Sequence, residues 1–184
     1  MLSFISRHFC AVLLLASLTT FGAAVQAESK AALEQSSREA LSALIKENSS
    51  ADALNDKAIA VLVFPKVTKA GLIVGGQYGE GVLWRDGKAV GFYSTAGASV
   101  GFQAGAQEFG YALFFMKDSA LKALDTAQGF EVGVGPSIVV MDKGMAVSRT
   151  TTTMQDDIYA FIFDQRGLMA GLGIQGNKIT KIDK

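Results

Sequence analysis

A chain of 184 residues with 17 Lys and Arg balanced by 17 Asp and Glu has no global field that would draw it to nucleic acid or to an anionic membrane. Its only histidine and only cysteine, His8 and Cys10, lie within the first 27 residues, which read as a removable export signal. Once these are lost, Ser-His-Asp and Cys-His nucleophiles, an imidazole base, thiolate zinc sites and disulfides are all excluded. No cofactor and no metal site is expected.

The signal has three parts: a cationic start at Arg7 and His8, an apolar run from Phe9 to Leu18, and a small-residue cleavage site at Val25-Gln26-Ala27. The run is too short for a stable transmembrane helix. Cys10 precedes the run, which is the wrong side for a lipid-modified cysteine. Residues 28–184 are expected to form one soluble exported domain, and a chain of about 150 residues buries roughly 70% of its unfolded surface without needing staples.

From Glu28 to Glu47, Leu33, Ala40, Leu41, Leu44 and Ile45 recur at helical spacing, leaving Ser36, Ser37, Arg38 and Lys46 for the polar side. Asn48-Ser49-Ser50 ends this helix, with Ser50 expected to cap a second short helix running to Lys57. Ile59 to Phe64 is a continuous apolar run stopped by Pro65, the mark of a strand buried on both faces.

Further strands are expected at 71–84, 88–96, 98–116, 130–141, 145–154, 158–163 and 168–174. Turn signals at Arg85-Asp86-Gly87-Lys88, Asp142-Lys143-Gly144 and Asp164-Gln165-Arg166-Gly167 predict hairpins. Asp118 is expected to cap a short helix carrying Leu121 and Leu124. Glycines fall inside the strands, as at Gly71, Gly75, Gly76, Gly79, Gly81, Gly97, Gly101 and Gly105, where they favour bulges, bends and close backbone approach. The fold class is α+β: a coiled, largely antiparallel, glycine-rich sheet or partial barrel covered by the N-terminal helix.

Three catalytic patterns fail on context. Gly97-Ala98-Ser99-Val100-Gly101 lacks the strand-to-helix turn and the histidine of a nucleophile elbow. Gly171-Leu172-Gly173-Ile174-Gln175-Gly176 matches a dinucleotide fingerprint, but the eight residues after it cannot supply the helix and acidic ribose ligand. Ser119-Ala120-Leu121-Lys122 lacks the companion segments of a Ser-Lys acyltransferase. Glu80, Glu108, Glu131 and Asp164 lie on separate strands, and the sequence leaves open whether any two converge. More suggestive are two sets of cations beside aromatics: Lys66 and Lys69 after Phe64-Pro65, read as a loop, and Arg85 and Lys88 after Trp84, at a hairpin tip. Such loops can seat a phosphate while the aromatic enters the interfacial layer of a bilayer, although an ordinary solvated turn has the same composition.

Ala58-Ile59-Ala60-Val61-Leu62-Val63-Phe64-Pro65-Lys66-Val67, then Lys69-Ala70-Gly71, Gly75-Gly76-Gln77-Tyr78-Gly79-Glu80-Gly81, and Gly97 to Gln107 together resemble the SYLF domain family. The resemblance implies a non-enzymatic domain that binds anionic lipids, phosphoinositides in its eukaryotic members, several of which also engage actin. It points to the small exported bacterial type, and hence to the periplasm, where actin is not a partner. On this reading Lys66, Lys69, Arg85 and Lys88 would contact anionic membrane lipids, and no nucleic acid is bound. Two other classes fit parts of the sequence: a small outer-membrane β-barrel, which the helical N-terminal segment opposes, and a hydrolase independent of His and Cys.

Overall fold

The computed structural model describes residues 28–71, 74–100, 105–126, 129–141, 155–167 and 176–184. The signal segment, the turn at 142–144, the strands expected at 145–154 and 168–174, and most of the 171–176 glycine pattern lie outside these residues.

Good helix formers carry α1 from Lys30–Glu47, and Ser29 caps it by accepting the Ala32 N–H at 3.3 Å. Asn48 closes one helix and opens the next. Its N–H returns to the Leu44 carbonyl, and its side-chain oxygen accepts the Ser50 and Ala51 N–H groups at 3.0 and 3.2 Å to start α2, Ser49–Asn55. Ser50 is therefore not the cap; it is buried in the first turn, because the extended backbone needed at a cap occurs at Asn48.

Eight strands follow among the described residues: β1 Ala60–Gly71, β2 Val74–Arg85, β3 Lys88–Val100, β4 Gly105–Phe115, β5 Phe130–Glu131, β6 Ile138–Met141, β7 Ile158–Gly167 and β8 Lys178–Ile182. A short helix, α3 Asp118–Leu124, follows β4. The strands form one sheet in the order β5-β8-β3-β2-β1-β4-β7-β6, antiparallel except for the β6–β7 pair. It curls into a half-barrel, and the fold is α+β as expected. Lys117, not Asp118, is the N-cap of α3; it offers no side-chain cap, and Asp118 sits in the first turn, where a carboxylate suits the helix dipole.

Pro65 does not stop β1. The register shifts between Val63 and Lys66 against β2, and between Phe64 and Val67 against β4. Pro65 thus occupies a bulge, where its missing N–H breaks no ladder bond. A second bulge replaces the hairpin expected at Asp164 to Gly167: β7 runs on to Gly167, and Asp164 takes φ 50° beside a register shift opposite Glu108 and Gly110. Conversely, the strand expected at 130–141 is broken by Gly133 (φ 98°), Gly135 (φ 96°) and Pro136, so that β5 and β6 lie at opposite edges of the sheet.

Both faces of the sheet are packed. Leu62, Phe64, Val67, Tyr111, Leu113 and Phe115 cluster with Ala120 and Leu124 of α3 on the inner face. Val61, Val63, Val82, Trp84 and Phe114 cluster with Leu33 and Leu44 of α1 and Ala51 and Leu54 of α2 on the outer face. This accounts for the unbroken apolar run at the start of β1, since each fully buried side chain of this size contributes about 1.5–3 kcal/mol. Ser37, assigned by periodicity to the polar side, is instead fully buried: its Oγ accepts the Trp84 indole N–H at 2.8 Å.

Candidate functional site

The bulge at Pro65 decides how the first cation pair is displayed. Lys66 and Lys69 are strand residues rather than loop residues, and three positions apart on a strand they face opposite sides of the sheet. Lys66 projects from the outer face with 63% of its side chain exposed, its Nζ 2.7 Å from Glu108 Oε1 on β4. Lys69 alternates with Val67 on the inner face and is 9% exposed.

Arg85 and Lys88 do occupy a hairpin tip. Asp86 (φ 51°) and Gly87 (φ 71°) are both left-handed, which is the two-residue type I′ connection between β2 and β3, and all four residues are exposed. Lys66 is paired with Glu80, five residues from Arg85 on β2, so the two sets of cations stand about 17 Å apart along the sheet. The structure does not bring them together. Nor are the neighbouring aromatics available to a membrane: Phe64 is fully buried, and Trp84 is 5% exposed under α1.

What covers Trp84 is the part of the site that sequence reasoning missed. The Arg38 guanidinium lies 4.4 Å from the centre of the Trp84 ring, and the Lys30 ammonium lies 5.2 Å from that of Phe92. Eight residues apart, Lys30 and Arg38 share one side of α1. That spacing was visible, but the strands that this side would meet were not. Ion pairs among the described residues join Lys66 to Glu108, Lys117 to Asp157, Lys181 to Asp125 and Lys184 to Glu80. Among these residues, none takes up Lys30, Arg38, Arg85 or Lys88. Among the described residues, cations outside any ion pair thus stand over Trp84 of β2 and Phe92 of β3 and at the hairpin tip.

The carboxylates do not form a comparable site. Glu108 and Asp164 share a hollow of about 180 Å³ with Pro65, Lys66, Phe109 and Arg166, where two cations face two acids. Glu80 is paired with Lys184, and Glu131 lies on the edge strand β5. Among the described residues, no group of His, Cys, Asp and Glu could hold a metal, and no helix is long and apolar enough to cross a membrane. Two inner-face tyrosines are perturbed. Burial pushes the Tyr93 hydroxyl well above the usual phenol range, helped by its hydrogen bond to Asp125 at 2.8 Å. Burial raises Tyr111 as well, against the opposing effect of Thr95 and Asn177.

A family model described as "Ysc84: Las17-binding protein actin regulator" matches residues 96–184. Over these residues the chain belongs to the SYLF (Ysc84) family. The match covers the end of β3 and every later element, whereas the sequence resemblance was carried by residues 58–107, so the two overlap on the glycine-rich segment from Ala96 onward. SYLF domains form a family of binding domains, associated with lipid and actin regulation. No curated protein matches the chain.

Proposed function

We propose that this SYLF protein is an exported, non-enzymatic domain that attaches peripherally to anionic membrane surfaces, in the periplasm, by gripping lipid headgroups. The observation that carries this reading is the set Lys30, Arg38, Arg85 and Lys88, which enters no ion pair among the described residues on a molecule of zero formal net charge. Each basic side chain near an anionic surface contributes about 1 kcal/mol. Four support reversible, salt-sensitive attachment and not permanent anchoring. Lys66 adds less because Glu108 offsets its charge, and Lys69 faces the interior. Phosphorylated headgroups are the ligands that the family resemblance favours. The description of the matched family names an actin regulator; a protein delivered outside the cytoplasm meets membrane and not actin.

The test is charge reversal at the hairpin. R85E/K88E should lose at least tenfold in binding to vesicles containing anionic lipid, with an unchanged far-ultraviolet circular dichroism spectrum, since neither side chain is packed. Unaltered binding by the double variant would overturn this reading.

A further inference from the structure

Both neighbours of β4 bulge at the same level. On the β1 side Phe64 pairs with Tyr111 and Val67 with Phe109, so Pro65 and Lys66 together stand opposite Gly110. On the β7 side Gly110 pairs with Phe163 and Glu108 with Arg166, so Asp164 and Gln165 together stand opposite Phe109. A bulge leaves its extra residue out of the ladder and re-aims the side chains beside it, and bulges are over-represented next to active sites. Here the two bulges frame the hollow of about 180 Å³ between Pro65, Lys66, Glu108, Phe109, Asp164 and Arg166. Asp164 holds φ 50° at its edge, a left-handed conformation uncommon for a residue with a side chain.

The hollow is charged but balanced. Lys66 and Glu108 offset each other at 2.7 Å. Asp164 and Arg166 line the same space, yet among the described residues no ion pair takes up either of them, with each other or with a third residue. A simple anion would meet Arg166 but also Asp164 and Glu108, and a simple cation would meet Asp164 but also Arg166 and Lys66. Because the four charges sum to zero, a ligand of one sign gains little from the hollow as a whole. A ligand carrying both signs gains at both ends. Its oxyanion accepts the paired N–H donors of the guanidinium, and its ammonium donates to the carboxylate. A cavity of about 150 Å³ admits the six carbons of benzene, so this hollow suits about seven or eight non-hydrogen atoms.

We propose that Asp164 and Arg166 form a binding site for a small zwitterion, a primary ammonium and an oxyanion on one short chain, with the Lys66–Glu108 pair as its rim. Phosphoethanolamine has this form and size, and it occurs as a free molecule or as the headgroup of a phospholipid. Glu80, the β2 partner of Lys66, is five residues from Arg85, about 17 Å along the strand. The hollow is therefore separate from the cationic hairpin and does not depend on the attachment proposed for it.

The purified protein should be titrated with phosphoethanolamine, ethanolamine, inorganic phosphate and phosphocholine, following the backbone amide resonances of Asp164, Gln165 and Arg166 and the Arg166 Nε–H. Phosphoethanolamine should shift these resonances at millimolar concentration. Ethanolamine and inorganic phosphate, each with one of the two charges, should bind at least tenfold more weakly, as should phosphocholine, whose quaternary nitrogen has no N–H to donate. D164N, which keeps a residue tolerant of the left-handed conformation, and R166Q should each weaken phosphoethanolamine binding at least tenfold. Neither should change the melting temperature of the free protein, since both side chains are exposed. R85E/K88E should bind phosphoethanolamine as the parent does, whatever becomes of its vesicle attachment. Vesicles of phosphatidylcholine mixed with phosphatidylethanolamine that produce the same shifts identify the ligand as a headgroup; vesicles that leave the resonances unmoved identify it as the free molecule. The proposal is overturned if phosphoethanolamine moves none of these resonances at millimolar concentration, if any of the three comparison compounds binds as tightly, or if binding persists unchanged in D164N or in R166Q.

Discussion

Lys184 Nζ lies 2.5 Å from Glu80 Oε2, with the two side chains only 8% and 12% exposed. The same ammonium donates to the Glu28 carbonyl, and Tyr78 donates its hydroxyl to Glu80 Oε1 at 3.0 Å. One small network thus ties the last residue of the chain to β2 and to the segment that enters α1. Removing one member of such a shielded pair strands the other charge, at a cost of about 3 kcal/mol. Lys184→Met should lower the urea midpoint accordingly, and E80Q/K184M should recover most of the loss. A K184M midpoint equal to that of the parent would show that the pair carries no stability.

The Ser37–Trp84 hydrogen bond fixes how α1 sits on the sheet. Ser37→Ala leaves the indole N–H buried without a partner and should cost about 1–3 kcal/mol. Leu33→Ala, which empties a fully packed position under the same helix, should cost about 2–5 kcal/mol. Trp84 is the only tryptophan, so its fluorescence reports this contact directly. A red shift in S37A under native conditions would mark loosened docking; a spectrum and a urea midpoint both unchanged would refute the role given to the bond.

Stability should fall at alkaline pH. Tyr93 and Tyr111 are held protonated in the folded state with their ionisation raised above the ordinary value, chiefly by burial. Above about pH 10 an unfolded tyrosine loses its proton while these keep theirs. The folded state then binds more protons than the unfolded state, and unfolding becomes easier with each rise in pH. Urea melts from pH 8 to 11 should show this decline, and Tyr111→Phe should flatten it. An unchanged slope in Y111F would mean that this tyrosine is not the group responsible.

Much of this architecture was legible in the sequence because its signals are local. The apolar stripe through Leu33 and Leu44 placed α1, the Ile59–Phe64 run placed a doubly buried strand, and Arg85-Asp86-Gly87-Lys88 placed a hairpin. The errors came where tertiary pairing overrode local grammar. Pro65 and Asp164 read as chain breaks, yet each sits in a bulge of a strand that continues. Ser37 read as solvated because periodicity cannot foresee an indole donor brought from 47 positions away. At the candidate site, Arg85 and Lys88 were visible from turn chemistry, whereas Arg38 and Lys30 matter only once α1 lies over Trp84 and Phe92.

The contrast between Lys66 and the hairpin gives a graded prediction. Lys66→Glu places a second carboxylate beside Glu108, which is exposed and screened, so stability should change by less than about 1 kcal/mol. Its effect on binding to anionic vesicles should be smaller than that of R85E/K88E. Glu108→Gln should act in the opposite direction, strengthening binding slightly by releasing the Lys66 charge. Vesicle titrations of the three variants would rank them, and a K66E defect larger than that of the hairpin double variant would move the surface toward β1 and β4.

The central claim, headgroup-directed attachment to anionic membrane, is tested most directly by co-sedimentation of the purified protein with vesicles of phosphatidylcholine alone and of phosphatidylcholine mixed with phosphatidylglycerol, at low salt and at about 0.5 M salt, where exposed charges are screened within a few ångströms. The account predicts that the protein pellets with the anionic vesicles at low salt, returns to the supernatant at high salt, and stays in solution with the neutral vesicles throughout. A protein that ignored the anionic vesicles at low salt, or that pelleted equally with both kinds, would contradict it.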